Sequence, residues 1–172
     1  MKTPKLIKPL IEDGLISEVI QSIMSGKEAS LYVVRCGTKI RCAKVYKEVN
    51  KRSFKKSAQY QEGRKVKNSR RARAIQKGSK YGKQQQEKTW QNAELLALRR
   101  VRESGVRVPE TFGYFDGVLL MELITNEQGH VAPRLAYISM SKETALFEYN
   151  IVIRYIVCML CAGIIHGDLS EF

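Results

Sequence analysis

Two distant stretches of this 172-residue chain carry side chains whose types suit phosphoryl chemistry. Near the end, His166-Gly167-Asp168-Leu169-Ser170-Glu171-Phe172 places an Asp just after the apolar stretch Gly163-Ile164-Ile165. A carboxylate held by a turn behind a helix can accept or orient the proton of an attacking hydroxyl. Far upstream, Lys44 alternates with Ile40, Cys42 and Tyr46, a period of two that sets all four on one strand face. An ammonium on so apolar a face is desolvated unless it is paired, and a phosphate together with a carboxylate would satisfy it. Taken alone, Lys44 would also fit an ordinary exposed strand lysine. The turn Ser25-Gly26-Lys27-Glu28-Ala29 precedes it. This is not a Walker loop, because Glu28 stands where a magnesium-binding Ser or Thr is required and the upstream Gly is absent.

These residues need elements to position them. Leu6 to Leu15 reads as a short helix or helix-turn limited by Pro9. Ile16 to Met24 is β-branched but ambiguous in its alternation, and is expected to be a strand. Ala29 to Cys36 and Lys39 to Lys47 are two further strands, joined at Gly37-Thr38. From Glu48 to about Lys83 apolar periodicity almost vanishes, which reads as a flexible insertion. Gln84 to Glu103 is a helical pattern, with Trp90, Ala93, Ala97 and Val101 on one stripe and Gly105 as its stop. Thr111 to Phe115 and Val118 to Ile124 are strands around an Asp116-Gly117 hairpin turn. Asn126 to Arg134 is a loop. Ser141 is a fitting N-cap for a long helix through Cys161, ended by Gly163.

The order is three strands, an insertion, a helix, two strands, a linker and a helix. It is that of a protein-kinase small lobe followed by the start of a large lobe, an α+β fold. Kinases set a Gly-rich turn over the phosphates, a Lys on the third strand and a Glu on the next helix. Here the candidates are the Ser25 to Ala29 turn, Lys44 and Glu94. The domain division expected is 1–124 for the small lobe with its hinge, carrying the insertion at about 48–83, and 125–172 for the start of the large lobe.

Five strings in order resemble the RIO family of atypical serine/threonine kinases, most closely its first subgroup. They are Ser25-Gly26-Lys27-Glu28-Ala29, Ala43-Lys44-Val45-Tyr46-Lys47, Gly105-Val106-x-Val108-Pro109, Leu120-Met121-Glu122-Leu123-Ile124 and Ile165-His166-Gly167-Asp168-Leu169-Ser170-Glu171. The resemblance implies ATP and Mg2+ as cofactors and assigns residues to them. Ser25, Lys27 and Glu28 would meet the phosphates. Leu31 would roof the adenine. Lys44 would hold the α- and β-phosphates, oriented by Glu94. Met121 would border the adenine, and the backbones of Glu122 and Ile124 would bond the base. Glu171 joins this ATP-binding set. Asp168 would be catalytic, and Gly167 stands where ordinary kinases carry the Arg that senses activation-loop phosphorylation. The metal ligands, an Asn and an Asp, are expected beyond Phe172. The activity implied is transfer of the γ-phosphate of MgATP to a protein hydroxyl, with autophosphorylation or an ATPase-type switch as variants. The alternative is a catalytically incomplete nucleotide- or RNA-binding module.

Net charge is +13, and the segment from Lys51 to Lys88 alone carries +12, from fourteen Lys and Arg against two acids. Such a segment attracts polyanions by counterion release, so RNA or a ribosomal particle is a candidate partner through residues 51–88. A solvated loop is the other reading. Phe54, Tyr60 and Tyr81 are its few aromatics, and Ser53, Ser57, Ser69 and Ser79 are candidates for autophosphorylation. Cys36, Cys42, Cys158 and Cys161 are expected to be reduced thiols of a cytoplasmic protein, because Met1-Lys2-Thr3-Pro4 opens no signal peptide. Cys158 and Cys161 read as packing residues of a helix, and Cys42 as a thiol inside the nucleotide pocket. The apolar run from Ile151 to Ile165 is interrupted by Arg154 and shorter than a membrane span, so no membrane is expected.

Overall fold

The computed structural model describes residues 3–47 and 94–171. The expected insertion, its serines and aromatics, Trp90 and Phe172 lie outside the described residues. The helix α1 spans Lys8–Glu12, and then come β1 (Glu18–Ser25), β2 (Ala29–Cys36) and β3 (Lys39–Tyr46). A helix α2 is described over 94–103. Strands β4 (Thr111–Phe115) and β5 (Val118–Glu122), a 3-10 turn at Leu135–Tyr137 and α3 (Lys142–Cys161) complete the order. The strands form one antiparallel sheet in the order β1-β2-β3-β5-β4. This is the mixed α+β architecture of a kinase-like small lobe.

Alternation in β3 divides the sheet into two faces, and cross-strand partners share a face. Tyr32 pairs with Ala43, Ala43 with Leu120, and Val45 with Val118. With Val34 these residues form the main core, closed by Ile7, Leu10 and Ile16 from the N-terminal segment. Pro9 does not end α1. It sits in the first turn, where its missing N–H would lack a partner anyway. The other face carries Leu31 opposite Lys44 opposite Leu119, and Val33 opposite Cys42 opposite Met121.

The ambiguous alternation of β1 has a physical cause. Its pairing with β2 slips between Val19 and Gln21 and again between Ser22 and Met24. Each bulge adds a residue to one strand and reverses the faces of those that follow. The strand therefore runs to Ser25, one residue past the expected end. At the β4–β5 hairpin Asp116 and Gly117 have φ of 38° and 98°, as a type I′ turn requires. Strand β5 stops at Glu122, two residues short of the expected Ile124. The following backbone instead folds back on itself: the Ala132 N–H donates to the Ile124 carbonyl at 3.0 Å.

Ser141 caps α3 by accepting the Thr144 N–H at 3.2 Å. A second cluster joins Val101 and Val106 to Met159, with Tyr155, Ile156 and Ile164 packed around them. Among the described residues only one side of α3 is covered, and Leu146, Phe147, Val157 and Leu160 are exposed. At 20 residues the helix is longer than its uninterrupted apolar run, and by length and composition it could cross a membrane. The core helix of a soluble protein can meet the same criterion.

If α1 is part of the core, Leu10→Ala should cost about 2–5 kcal/mol of unfolding free energy, while the exposed Lys8→Ala should stay within about 0.5 kcal/mol. Urea unfolding of both variants checks this, and equal effects would show that α1 is only loosely attached.

Candidate active site

The second face of the sheet is organised around Lys44. Its Nζ lies 2.5 Å from Glu94 Oε1, so the third strand is tied to α2 across 50 residues of sequence. The two side chains are 28% and 23% exposed, so the pair is mostly withdrawn from water. The second carboxylate oxygen of Glu94 accepts the Tyr46 hydroxyl at 2.7 Å. Tyr46 is buried, its ring tilted against Tyr114, and the Lys44 ammonium stands 5.3 Å from the Tyr46 ring centroid. Glu94 is thus held at both oxygens, one by a charge and one by a neutral donor.

The turn before β2 is closed by its own atoms. The Gly26 N–H donates to the Ala29 carbonyl at 2.9 Å, and the Ser25 and Ser30 hydroxyls lie 2.9 Å apart. The Ser25 side chain is therefore already engaged inside the turn, whereas Lys27 and Glu28 are exposed. Leu31 and Met121 share the face of Lys44 through their pairing with Lys44 and Cys42.

Glu122 is committed elsewhere. Its carboxylate receives both terminal nitrogens of Arg107, at 3.0 and 2.6 Å, and the Glu110 N–H at 3.0 Å. The Arg107 hydrogen bond, followed by that from Glu110, holds its carboxyl below the usual carboxylate range. Its backbone N–H donates to the Glu110 carbonyl at 2.7 Å. Of the backbone groups expected to meet a base, the Glu122 carbonyl and the Ile124 N–H remain as candidates, since the Ile124 carbonyl accepts from Ala132.

Asp168 is exposed, in a loop shaped by Gly163 and Gly167, whose φ values are 68° and 73°. His166 Nδ1 accepts the Asp168 N–H at 3.3 Å, so this imidazole shapes the turn. The Ala136 N–H donates to the Glu171 carbonyl at 3.0 Å, fastening the loop's end to the linker after the sheet. That linker reaches β1 as well: Arg134 donates to the Met24 sulfur at 3.1 Å. The structure thus joins Lys44 with Glu94, and Leu31 and Met121 with their face. Among the described residues no hydrogen bond or ion pair links these side chains to Asp168. Among the described residues no three His, Cys, Asp or Glu side chains converge on a cation.

Sequence reasoning missed Tyr46 and Lys47. The alternation of β3 sets Tyr46 on the face of Lys44, but nothing in its spacing signals a bond to a carboxylate 48 residues away.

A RIO domain model matches residues 30–172. The chain belongs to the RIO family. It is 32% identical over 168 residues to the RIO-type serine/threonine-protein kinase Rio1 of Haloferax volcanii, covering 96% of this chain and 53% of that protein. It is 28% identical over 173 residues to the serine/threonine-protein kinase rio1 of Schizosaccharomyces pombe, covering 99% of this chain and 33% of the relative. The human serine/threonine-protein kinase RIO1 is 29% identical over 173 residues, covering 99% of this chain and 29% of the human protein. The chain therefore spans about half the length of the archaeal relative and a third or less of the other two.

Burial pushes the Cys42 thiol up to about 11, with the nearby Lys44 charge opposing the shift. A folded thiol that keeps its proton above the usual range presents little thiolate at pH 8. Iodoacetamide at that pH should modify exposed Cys161 well before Cys42, with the Cys42 rate rising as pH approaches 11. Equal rates by mass spectrometry at pH 8 would mean that the Lys44 face is open around Cys42.

Proposed function

We propose that this chain is the nucleotide-holding portion of a RIO-type serine/threonine kinase, directing the γ-phosphate of MgATP to a protein hydroxyl. The cluster of Lys44, Glu94 and Tyr46 on the second sheet face carries this reading. A desolvated ammonium with one neighbouring carboxylate still has N–H groups and attraction for phosphate oxygens. Glu94, gripped by Tyr46, limits where that ammonium can go, so that it meets the phosphates with little reorganisation. The Ser25 to Ala29 turn would offer backbone and the Lys27 charge to the same oxygens. Leu31 and Met121 would sandwich the base, and the Glu122 carbonyl and Ile124 N–H would read its edge. Asp168 would orient the acceptor hydroxyl and take its proton. Magnesium would enter with ATP and neutralise its phosphates.

A second reading is a nucleotide- or RNA-binding module without transfer activity. The concentration of +12 charge in residues 51–88 favours it, and RNA or a ribosomal particle is then the partner. One set of measurements separates the two. In the kinase reading Lys44→Met weakens ATP binding by about tenfold or more. Asp168→Ala leaves binding within about twofold, yet lowers autophosphorylation or ATP hydrolysis by roughly 100-fold or more. Transfer that survives Asp168→Ala contradicts the mechanism. Salt-sensitive RNA binding with no ATP affinity in the unaltered chain supports the second reading instead.

A further inference from the structure

We infer that Lys47 is a positioning residue for the phosphate turn, a role separate from that of Lys44. The inference rests on the nucleotide-binding reading above. The β2–β3 ladder ends at the pair Ala29 and Tyr46. One step further, the Lys47 N–H donates to the Glu28 carbonyl at 2.9 Å. The Lys47 side chain then reaches back across the turn, and its Nζ donates to the Gly26 carbonyl at 2.6 Å. One residue therefore holds the turn at two carbonyls, and the second bond is charge-assisted and part-buried.

The consequence concerns which backbone groups face a ligand. A carbonyl at Gly26 aimed into the site would repel a phosphate. With that oxygen bound to Lys47, it is occupied by a cation, and its negative end is offset by a positive charge in the same small turn. The Ser25–Ser30 hydroxyl contact and the Gly26–Ala29 backbone bond fix the base of the turn but leave the Gly26 carbonyl without this donor. Lys47 thus supplies both the geometry and the local charge that favour polyphosphate over an uncharged nucleoside. Lys44 acts differently, through its pair with Glu94 on α2.

The test compares ATP with adenosine, which shares the base and ribose but lacks phosphate. Calorimetric titration is made on the full chain and on Lys47→Met and Lys47→Arg. Lys47→Met should weaken ATP binding about tenfold, because the turn loses its positive charge and the Gly26 carbonyl loses its donor. Adenosine binding should stay within about twofold, and Lys47→Arg should recover much of the ATP affinity. Equal ATP affinity in the unaltered chain and Lys47→Met overturns the inference. So does a parallel loss for ATP and adenosine, which marks a general structural role. If the unaltered chain binds neither ligand, the nucleotide-binding reading itself fails, a result distinct from either outcome.

Discussion

Everything on the Lys44 face depends on one partly buried ion pair. Lys44 and Glu94 are each less than a third exposed, and neither is well placed to regain full hydration. Removing one partner from such a pair leaves an uncompensated charge, so the pair behaves as a unit. Tyr46 adds a further bond, and hydrogen bonds to charged groups contribute about 1.5–3 kcal/mol each. These contacts order a strand, a helix and an aromatic residue around a single ammonium. A core of apolar side chains could join the same elements more cheaply. That the junction is ionic, and lies on the face away from the main core, is the physical reason to regard it as a site.

The two faces of β3 show how the sheet divides its work. Ala43 and Val45 bury in the main core with Ile7 and Leu10, while Cys42, Lys44 and Tyr46 lie on the opposite face, Lys44 the most exposed of the three. The tight register on either side leaves little freedom. Lys44 is opposite Leu31 and Leu119, and slipping β3 by one residue against these neighbours would turn the ammonium into the core. The core therefore fixes the position of the charge, and the Arg107–Glu122 pair and the linker from Ile124 to Tyr137 fasten the periphery.

Much of this was legible in the residue pattern. Alternation marked β3, the Gly37-Thr38 turn marked β2 before it, Asp116-Gly117 marked the hairpin, and Ser141 marked the start of α3. The order of these elements and the five strings were enough to indicate the family. What stayed hidden depends on contacts distant in sequence. The β1 bulges blur a period of two. Glu122 looks like a hinge residue, and nothing in its spacing foretells Arg107 fifteen residues earlier. Tyr46 and Lys47 look like the end of a strand until Glu94 and Gly26 are brought beside them.

The most direct measurement asks which lysine meets the phosphates of ATP. An acyl-phosphate derivative of ATP transfers its acyl group to an amine lying beside the phosphate chain, and mass spectrometry then locates the modified residue. The account predicts Lys44 as the principal labelled lysine in the full chain, with labelling suppressed by excess ATP. Labelling spread over the lysines of the 51–88 segment and unaffected by ATP would contradict it.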